Sequence, residues 1–445
     1  MYDFIFCNVP KSDVYSPLIG PPILKEILTR NSYTSKILDF NIELFHCFKQ
    51  IFIDSKINEW VDLDYIFKKG IFNESYKKLL EKWSNKILEY NPRYVGFTCF
   101  SAHNFGSIIN LSKLIKQKNP EIKIVVGGPC TIWIGGNELI KNKIIDYYVI
   151  GYGEEAILKI LNGESFIGVN DNQSCRQINL SNNPFPDFSD FDLSKYIGNV
   201  LYTYSSRGCT QNCTFCDVND IWNGYNTRDP KRVVEEMSNG VSKYNTTKFE
   251  FCDSLINGSL SNMRGVCNEL KLFKFNWVGM FRIRKMLDSD YDLLAESGCT
   301  LLKIGIESGS LVVRKDMGKH FTNEEIFATL DNLQRVNIEV ALFFITGYPT
   351  ETEEHHQESL DLITKISNRY SNISHIRSAP VELQKDEFKS IKKTGGQKHR
   401  YERFHEMMKL IKDCNITIMG EKRMNTVVKG YEDNLKKELE NSKEI

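Results

Sequence analysis

The stretch Cys209-Thr210-Gln211-Asn212-Cys213-Thr214-Phe215-Cys216 places three cysteines within eight residues, spaced x3 and then x2. Thiolates are the preferred ligands of iron–sulfur clusters, and a [4Fe–4S] cube ordinarily takes four of them. Three protein ligands leave one iron open, and an open metal position is where chemistry happens. A zinc site needs four ligands, commonly Cys or His, and no histidine lies between His103 and His320. Disulfides belong to exported chains, and Met1–Cys7 lacks the basic flank and long apolar run of a signal peptide. Immediately upstream, Val200–Tyr204 alternates aromatic and β-branched residues in the manner of a strand, and Ser205-Ser206-Arg207-Gly208 breaks it. The cysteines are therefore expected on a loop at a strand's C-terminal edge.

Downstream the pattern repeats as strand then helix. Strands are expected at 248–252, 277–282, 301–306, 339–345 and 373–379, and helices at 230–243, 260–270, 290–297, 323–335 and 353–368. Six such units make an open, partial (β/α) barrel, in which functional residues sit at the C-terminal strand ends. This puts Cys209, Cys213, Cys216, Asp253, Arg282, Glu307 and Gly347 on one rim. Arg284, Asp316 and Glu351 read as surface or rim ion pairs.

Upstream, strands at 2–9, 35–40, 93–99, 122–126 and 146–150 alternate with helices at 23–29, 106–118 and 154–161; 41–90 reads as helical without a clear order. This is a parallel, doubly wound sheet, whose ligands bind beyond the strands' carboxyl ends. The loops there are 98–104, 127–131 and 151–155, rich in Gly, Ser or Thr, which let backbone approach a ligand. Gly151-x-Gly153-x-x-Ala156 imitates the dinucleotide fingerprint, but it closes the sheet where the fingerprint should open it, and Glu154 would face a pyrophosphate with like charge. A nicotinamide or flavin dinucleotide is rejected. Asn170–Tyr196, with Pro184-Phe185-Pro186 and several aromatics, reads as an extended, docked connector.

The C-x3-C-x-Phe-C motif resembles the radical S-adenosylmethionine (radical SAM) superfamily. The ordered set Pro17–Gly20, Val95–Thr98, Val125–Pro129 and Asp146–Glu154 is similar to the cobalamin-binding domain of one large branch of that superfamily. The resemblance covers most of residues 1 to 380. It implies an α/β chain with an N-terminal Rossmann-like cobalamin-binding domain (1–165), a linker (166–199), a partial (β/α)6 TIM-like radical SAM barrel (200–390) and a short helical C-terminal cap (391–445). It implies a [4Fe–4S] cluster on Cys209, Cys213 and Cys216; SAM against Phe215, Asp253, Ser254, Arg282, Glu307, Ser308 and Gly347; and cobalamin against Thr98, Ser101, Gly127, Gly128, Pro129, Gly151, Gly153 and Glu154. Arginine at the end of the third barrel strand would pair with the SAM carboxylate, and Glu307 would accept from its ribose or amino group. No D-x-H-x-x-G follows the first strand. Two possibilities stay open: cobalamin bound without a protein histidine, or a domain that has lost its corrin. Thr350 stands where many relatives have a glycine, and Pro380-Val381-Glu382-Leu383 replaces the usual Pro-Gly-Thr.

The implied activity is reductive cleavage of SAM to a 5′-deoxyadenosyl radical, with methylation of an unactivated carbon as the commonest outcome. Cyclisation, rearrangement or oxidation without methyl transfer, and a non-catalytic iron–sulfur and corrin protein, are the alternatives. A tRNA methylthiotransferase fits less well, because those relatives carry a cysteine-bearing N-terminal domain of another kind. Lys+Arg and Asp+Glu both number 57 in the 445 residues, which gives no electrostatic case for nucleic acid or anionic membranes. No stretch approaches the roughly 18 to 20 apolar residues of a membrane span. Twelve cysteines without export signals point to a reducing cytoplasm. The expected partner is a reductase or flavodoxin-type electron donor. In the tail, 390–400 reads as a basic loop, and 401–414 and 433–440 as amphipathic helices.

Overall fold

A computed structural model describes residues 1–51, 67, 73–381, 397–414 and 416. The expected helix at 433–440 and most of the basic loop lie outside the described residues. The chain divides into two units, one comprising Met1–Tyr202, Asp220–Asn226 and Ser238–Thr246, the other Thr203–Asn219, Thr227–Met237 and the residues from Thr247 onward.

In the first unit, β1 (Tyr2–Asn8), β2 (Ser35–Asp39), β3 (Pro92–Thr98), β4 (Lys123–Gly127) and β5 (Tyr147–Tyr148) form one sheet in the order β2-β1-β3-β4-β5. Every pairing is parallel. Burial on both faces explains the near-continuous apolar runs: Ile5, Cys7, Val95, Ile124 and Val126 are fully buried. The order reverses between β1 and β3, the topological switch point where ligands bind in such sheets. α1 (Gly20–Arg30) opens on Pro21 and Pro22, tolerated where no helical N–H is needed. α2 (Phe40–Ile51), α3 (Glu74–Glu89), α4 (Phe105–Lys118), α5 (Gly136–Lys141) and α6 (Gly153–Leu161) follow. β5 is shorter than the pattern predicts, because Val149 leaves it to bridge Val169 in antiparallel fashion. The segment after α6 is held in place: Lys25, 8 % exposed, bridges Asp187 at 3.0 Å and Asp190 at 2.7 Å.

In the second unit, β6 (Leu201–Thr203), β7 (Lys248–Phe251), β8 (Asn276–Phe281), β9 (Cys299–Glu307), β10 (Glu339–Thr346) and β11 (Ile373–Pro380) form a sheet in sequential order. β7 to β11 pair in parallel. Helices α7 (Pro230–Tyr244), α8 (Leu260–Leu270), α9 (Asp288–Glu296), α10 (Leu311–Asp316), α11 (Asn323–Arg335) and α12 (Glu353–Arg369) intervene, and α13 (Gln397–Asp413) follows. α11 starts at a capping box: Thr322 Oγ1 accepts from Glu325 N–H at 3.3 Å, and Glu325 Oε2 accepts from Thr322 N–H at 2.8 Å. The sequence pattern missed α10, a helix too short to show a period. This repeated, sequential arrangement carries all strand ends to one rim.

Candidate active site

Tyr204 follows β6, and its ring lies under the guanidinium groups of Arg207 at 4.7 Å and Arg228 at 4.6 Å. Asp253 then fastens the turn. Its Oδ2 accepts from Ser205 N–H at 2.8 Å, and its Oδ1 accepts from Ser205 Oγ at 2.7 Å and Ser206 Oγ at 2.6 Å. Gly208, at φ +83°, makes the left-handed step into Cys209. Sequence reasoning had set Asp253 against SAM; the structure spends its carboxylate on the approach to the cysteine loop. Burial pushes that carboxyl up to about 6.

The cysteine loop is supported from the segment after β9. Thr214 N–H donates to Met317 O at 3.2 Å, and Thr214 Oγ1 lies 2.8 Å from Tyr348 Oη. Gly318, at φ +79°, passes so close that a Cβ there would meet Asn212 O at 3.0 Å. Phe215 packs on Val313, Met317, Tyr348 and Val381, so the aromatic slot is a wall of this pocket. Cys209, Cys213 and Cys216 are half-buried. Burial pushes all three up; the charge of Arg282 opposes this at Cys209 and Cys213, and that of Lys319 at Cys213 and Cys216. Among the described residues no three His, Cys, Asp or Glu side chains converge tightly enough to hold a single metal ion. A cube has a different demand, one thiolate for each of three irons, so the cysteines need to surround a volume rather than a point.

Three rim groups face the question of what anion or cation they take. Arg282 is held by its backbone, with its N–H donating to Asn257 Oδ1 at 3.1 Å and its carbonyl accepting from Asn257 Nδ2 at 3.0 Å. Asn257 is fully buried, and this role is not legible in the residues around it. Burial, then the like charge of Arg284, lowers the Arg282 guanidinium from its ordinary value. Among the described residues Arg284 makes no ion pair; it donates to Asn257 O at 2.9 Å and Gly258 O at 3.1 Å. Arg282 is thus a partly desolvated cation set beside another cation, an arrangement that calls for an anion.

Glu307 sits at φ +69°, beside a register shift between Gly305 and Glu307 that acts as a bulge at the end of β9. Its Oε1 accepts from Lys319 Nζ at 2.7 Å, which also donates to Gly305 O at 2.7 Å. Lys319 was not legible as a site residue. Ser308 points elsewhere: its hydroxyl is 3.3 Å from Ser359 Oγ and accepts from Ser310 N–H at 3.1 Å. Ser254 follows Asp253, partly buried. Gly347 turns at φ +72°, and its N–H donates to Glu351 Oε2 at 2.7 Å. Glu351 is in an ion pair, as expected, but a buried one: it is 2 % exposed, and its Oε2 lies 3.2 Å from Arg403 Nη1. Asp316 contributes its carbonyl, which accepts from Tyr348 Oη at 3.2 Å.

In the first unit, the ends of β1, β3 and β4 line up: Asn8 pairs with Thr98, and Thr98 with Gly127. Asn104, fully buried, ties the following loops; its Nδ2 donates to Val9 O at 2.8 Å and Lys11 O at 3.1 Å, and its Oδ1 accepts from Ser101 N–H at 2.8 Å. Ser101 Oγ donates to Lys11 O at 3.2 Å. A Cβ at Gly127 would meet nothing within 4 Å, so the strand end is open to close approach. Gly128, at φ +111°, instead lies against Cys99, whose carbonyl a Cβ would meet at 2.8 Å; Pro129 follows it. The hydroxyl of Thr131, 1 % exposed, and Oδ1 of Asn8 lack hydrogen-bond partners among the described residues. Orphaned buried acceptors at this edge fit a bound group. Gly151 (φ +85°) is closed off by Ser174 Oγ, which a Cβ there would strike, and Gly153 lies in ordinary contact with Leu24. Glu154 turns away from the edge, and its Oε1 accepts from Asn183 Nδ2 at 2.9 Å.

Residues 203–363 match the radical SAM superfamily and residues 15–161 match the B12 binding domain. The chain thus carries a radical SAM domain and a B12-binding domain together. It is 23% identical over 315 residues to an uncharacterized methyltransferase of Pyrococcus horikoshii, covering 65% of this chain and 67% of that protein. It is 23% identical over 425 residues to the cytidylyl-2-hydroxyethylphosphonate methyltransferase of Streptomyces wedmorensis, covering 82% and 76%. A tRNA-2-methylthio-N(6)-dimethylallyladenosine synthase of Christiangramia forsetii is 26% identical over 279 residues, 56% of each chain. Among solved structures, the radical SAM methyltransferase TsrM of Kitasatospora setae, with cobalamin and a [4Fe–4S] cluster bound, has a TM-score of 0.64 at 15% identity, covering 85% of this chain and 75% of its own. The two matched domains are of the kinds named for S-adenosylmethionine radical chemistry and for B12 binding. Radical SAM enzymes need an electron donor. Among the described residues no helix is long and apolar enough to cross a membrane.

Proposed function

We propose that this radical SAM enzyme transfers a methyl group to an unactivated carbon. The observation that carries the reading is one chain that joins a three-cysteine loop, on the same strand-end rim as the partly buried Arg282, to a B12-binding domain. A B12-binding domain in the same chain directs the chemistry toward methyl transfer, as in the methyltransferase relatives. When bound, the cluster supplies the electron that cleaves SAM to a 5′-deoxyadenosyl radical, and the corrin supplies a methyl carrier.

The chain's own part is binding and orientation. Cys209, Cys213 and Cys216 hold three irons. The Arg282 fork pairs with the SAM carboxylate. Glu307, aimed by its left-handed backbone, accepts from the ammonium or ribose in exchange for Lys319. Backbone at Gly347 lies against adenine, and Phe215 closes the wall. Thr98, Ser101, Gly127, Gly128 and Pro129 would border the corrin, and the segment between β1 and α1 offers it no histidine. The electron donor is of flavodoxin or reductase type.

The test needs no substrate. The chain, reconstituted anaerobically with iron, sulfide and hydroxocobalamin, is given a strong reductant and methyl-labelled SAM. The reading expects 5′-deoxyadenosine above the no-enzyme control and label on the extracted corrin. Label confined to unreacted SAM and free methionine would remove methyl transfer from the account.

A further inference from the structure

We propose that Arg403, on α13 beyond the strands, is a positioning residue for SAM that acts through Glu351 and Gly347. This rests on the reading that the Gly347 segment meets adenine.

Arg403 Nη1 donates to Glu351 O at 2.9 Å and lies 3.2 Å from Glu351 Oε2; Nη2 donates to Glu353 Oε2 at 2.9 Å. The same Glu351 Oε2 accepts from Gly347 N–H at 2.7 Å, and Glu351 N–H donates to Tyr348 O at 2.8 Å. One carboxylate therefore joins the left-handed turn at Gly347 to a guanidinium on the last described helix. The Glu351 side chain is fully buried, and its Oε1 has no partner among the described residues. A buried charge in that position depends on its cation, and removing one member leaves the other uncompensated. Burial raises the Glu351 carboxyl from its ordinary value, with Gly347 N–H, His356 and Arg403 opposing.

α13 is seated independently of this pair. Met407 and Ile411, four and eight residues beyond Arg403 and on the same helix face, are fully buried. His356 Nε2 on α12 lies 3.2 Å from Glu406 Oε2. Losing the Arg403 guanidinium therefore leaves the helix docked and strands the Glu351 carboxylate, which no longer fixes the Gly347 N–H. Gln at 351 would still offer that N–H a carbonyl oxygen and needs no cation.

The experiment compares the full cluster-loaded chain with R403M, E351Q and the E351Q/R403M double variant. Titration gives the SAM dissociation constant, and hydrogen exchange reads the 346–352 amides. The proposal expects faster exchange and about tenfold weaker SAM binding in R403M, as for a small misplacement of a binding group, with both returned near wild type in the double variant. Unchanged exchange in R403M overturns the clamp itself. Faster exchange with unchanged SAM affinity overturns its role in SAM binding and locates the error in the adenine reading. Weak binding that persists in the double variant also overturns it, since the loss would then come from α13 alone.

Discussion

The two strand-end edges are built from different materials. The edge of the second unit is ionic: three thiols, Arg282, Glu307 with Lys319, and a buried Glu351, several on left-handed backbone. The edge of the first unit is made of backbone, glycines and small hydroxyls, and the carboxylates near it are spent on neighbours, Asp39 on Asn8 and Tyr196 and Glu154 on Asn183. A zwitterion such as SAM is recognised by charge and fork geometry, so the first kind of edge can discriminate it. A broad macrocycle is recognised by close approach over an open surface, which glycine permits. The contrast teaches that charge locates one cofactor and the absence of side chain locates the other.

The sharpest break is C213A. It should abolish the cluster and all 5′-deoxyadenosine formation while leaving corrin uptake intact; loss of both cofactors together would dissolve the contrast. Next is Asp253, whose carboxyl is raised from 3.8 to about 6 by burial. A raised pKa means the folded state holds the proton more tightly. Its contribution is full below about pH 4 and is lost as pH rises through about 6. In urea unfolding of the cluster-free chain, the wild-type advantage over D253N should shrink by about 3 kcal/mol across that window; a pH-independent difference would contradict it.

R282A should keep its iron and weaken SAM binding by about 2 kcal/mol, roughly 30-fold, the worth of a charge-assisted hydrogen bond. Calorimetric titration measures this. G128A forces a Cβ against the Cys99 carbonyl at positive φ and should cost about 1–3 kcal/mol of stability. G127A, with open space around it, should stay within about 0.5 kcal/mol in the same melts yet lower corrin occupancy. Equal melts for the two variants would show that the glycines are interchangeable.

Most strands and helices were legible because their signals are local. The x3–x2 cysteine spacing, the capping box Thr322–Glu325 and the Pro21-Pro22 start each need only neighbouring residues. The candidate site was legible as a set of strand ends, since register carries Arg282, Glu307 and Gly347 to one rim. What escaped were partnerships across long separations. Asp253 lies 48 residues from Ser205 and is spent on it, and Glu307 shares its charge with Lys319. Arg314 illustrates the same limit. It lies on α10, which the sequence pattern does not show, and is fully buried, with Nη1 donating to Ser308 O at 2.7 Å and Nη2 to Asn323 Oδ1 at 2.7 Å. Residue type announces a charge, but only the fold shows who neutralises it, and Arg282 stands out because it is set beside another cation.

The most direct measurement is cofactor stoichiometry on the chain reconstituted anaerobically with iron, sulfide and hydroxocobalamin, then desalted. Two edges with two cofactors predict about four irons and about one corrin per chain, with cluster and corrin absorbance in one spectrum. Four irons with no retained corrin would contradict the account and leave the first unit's open edge to some other ligand.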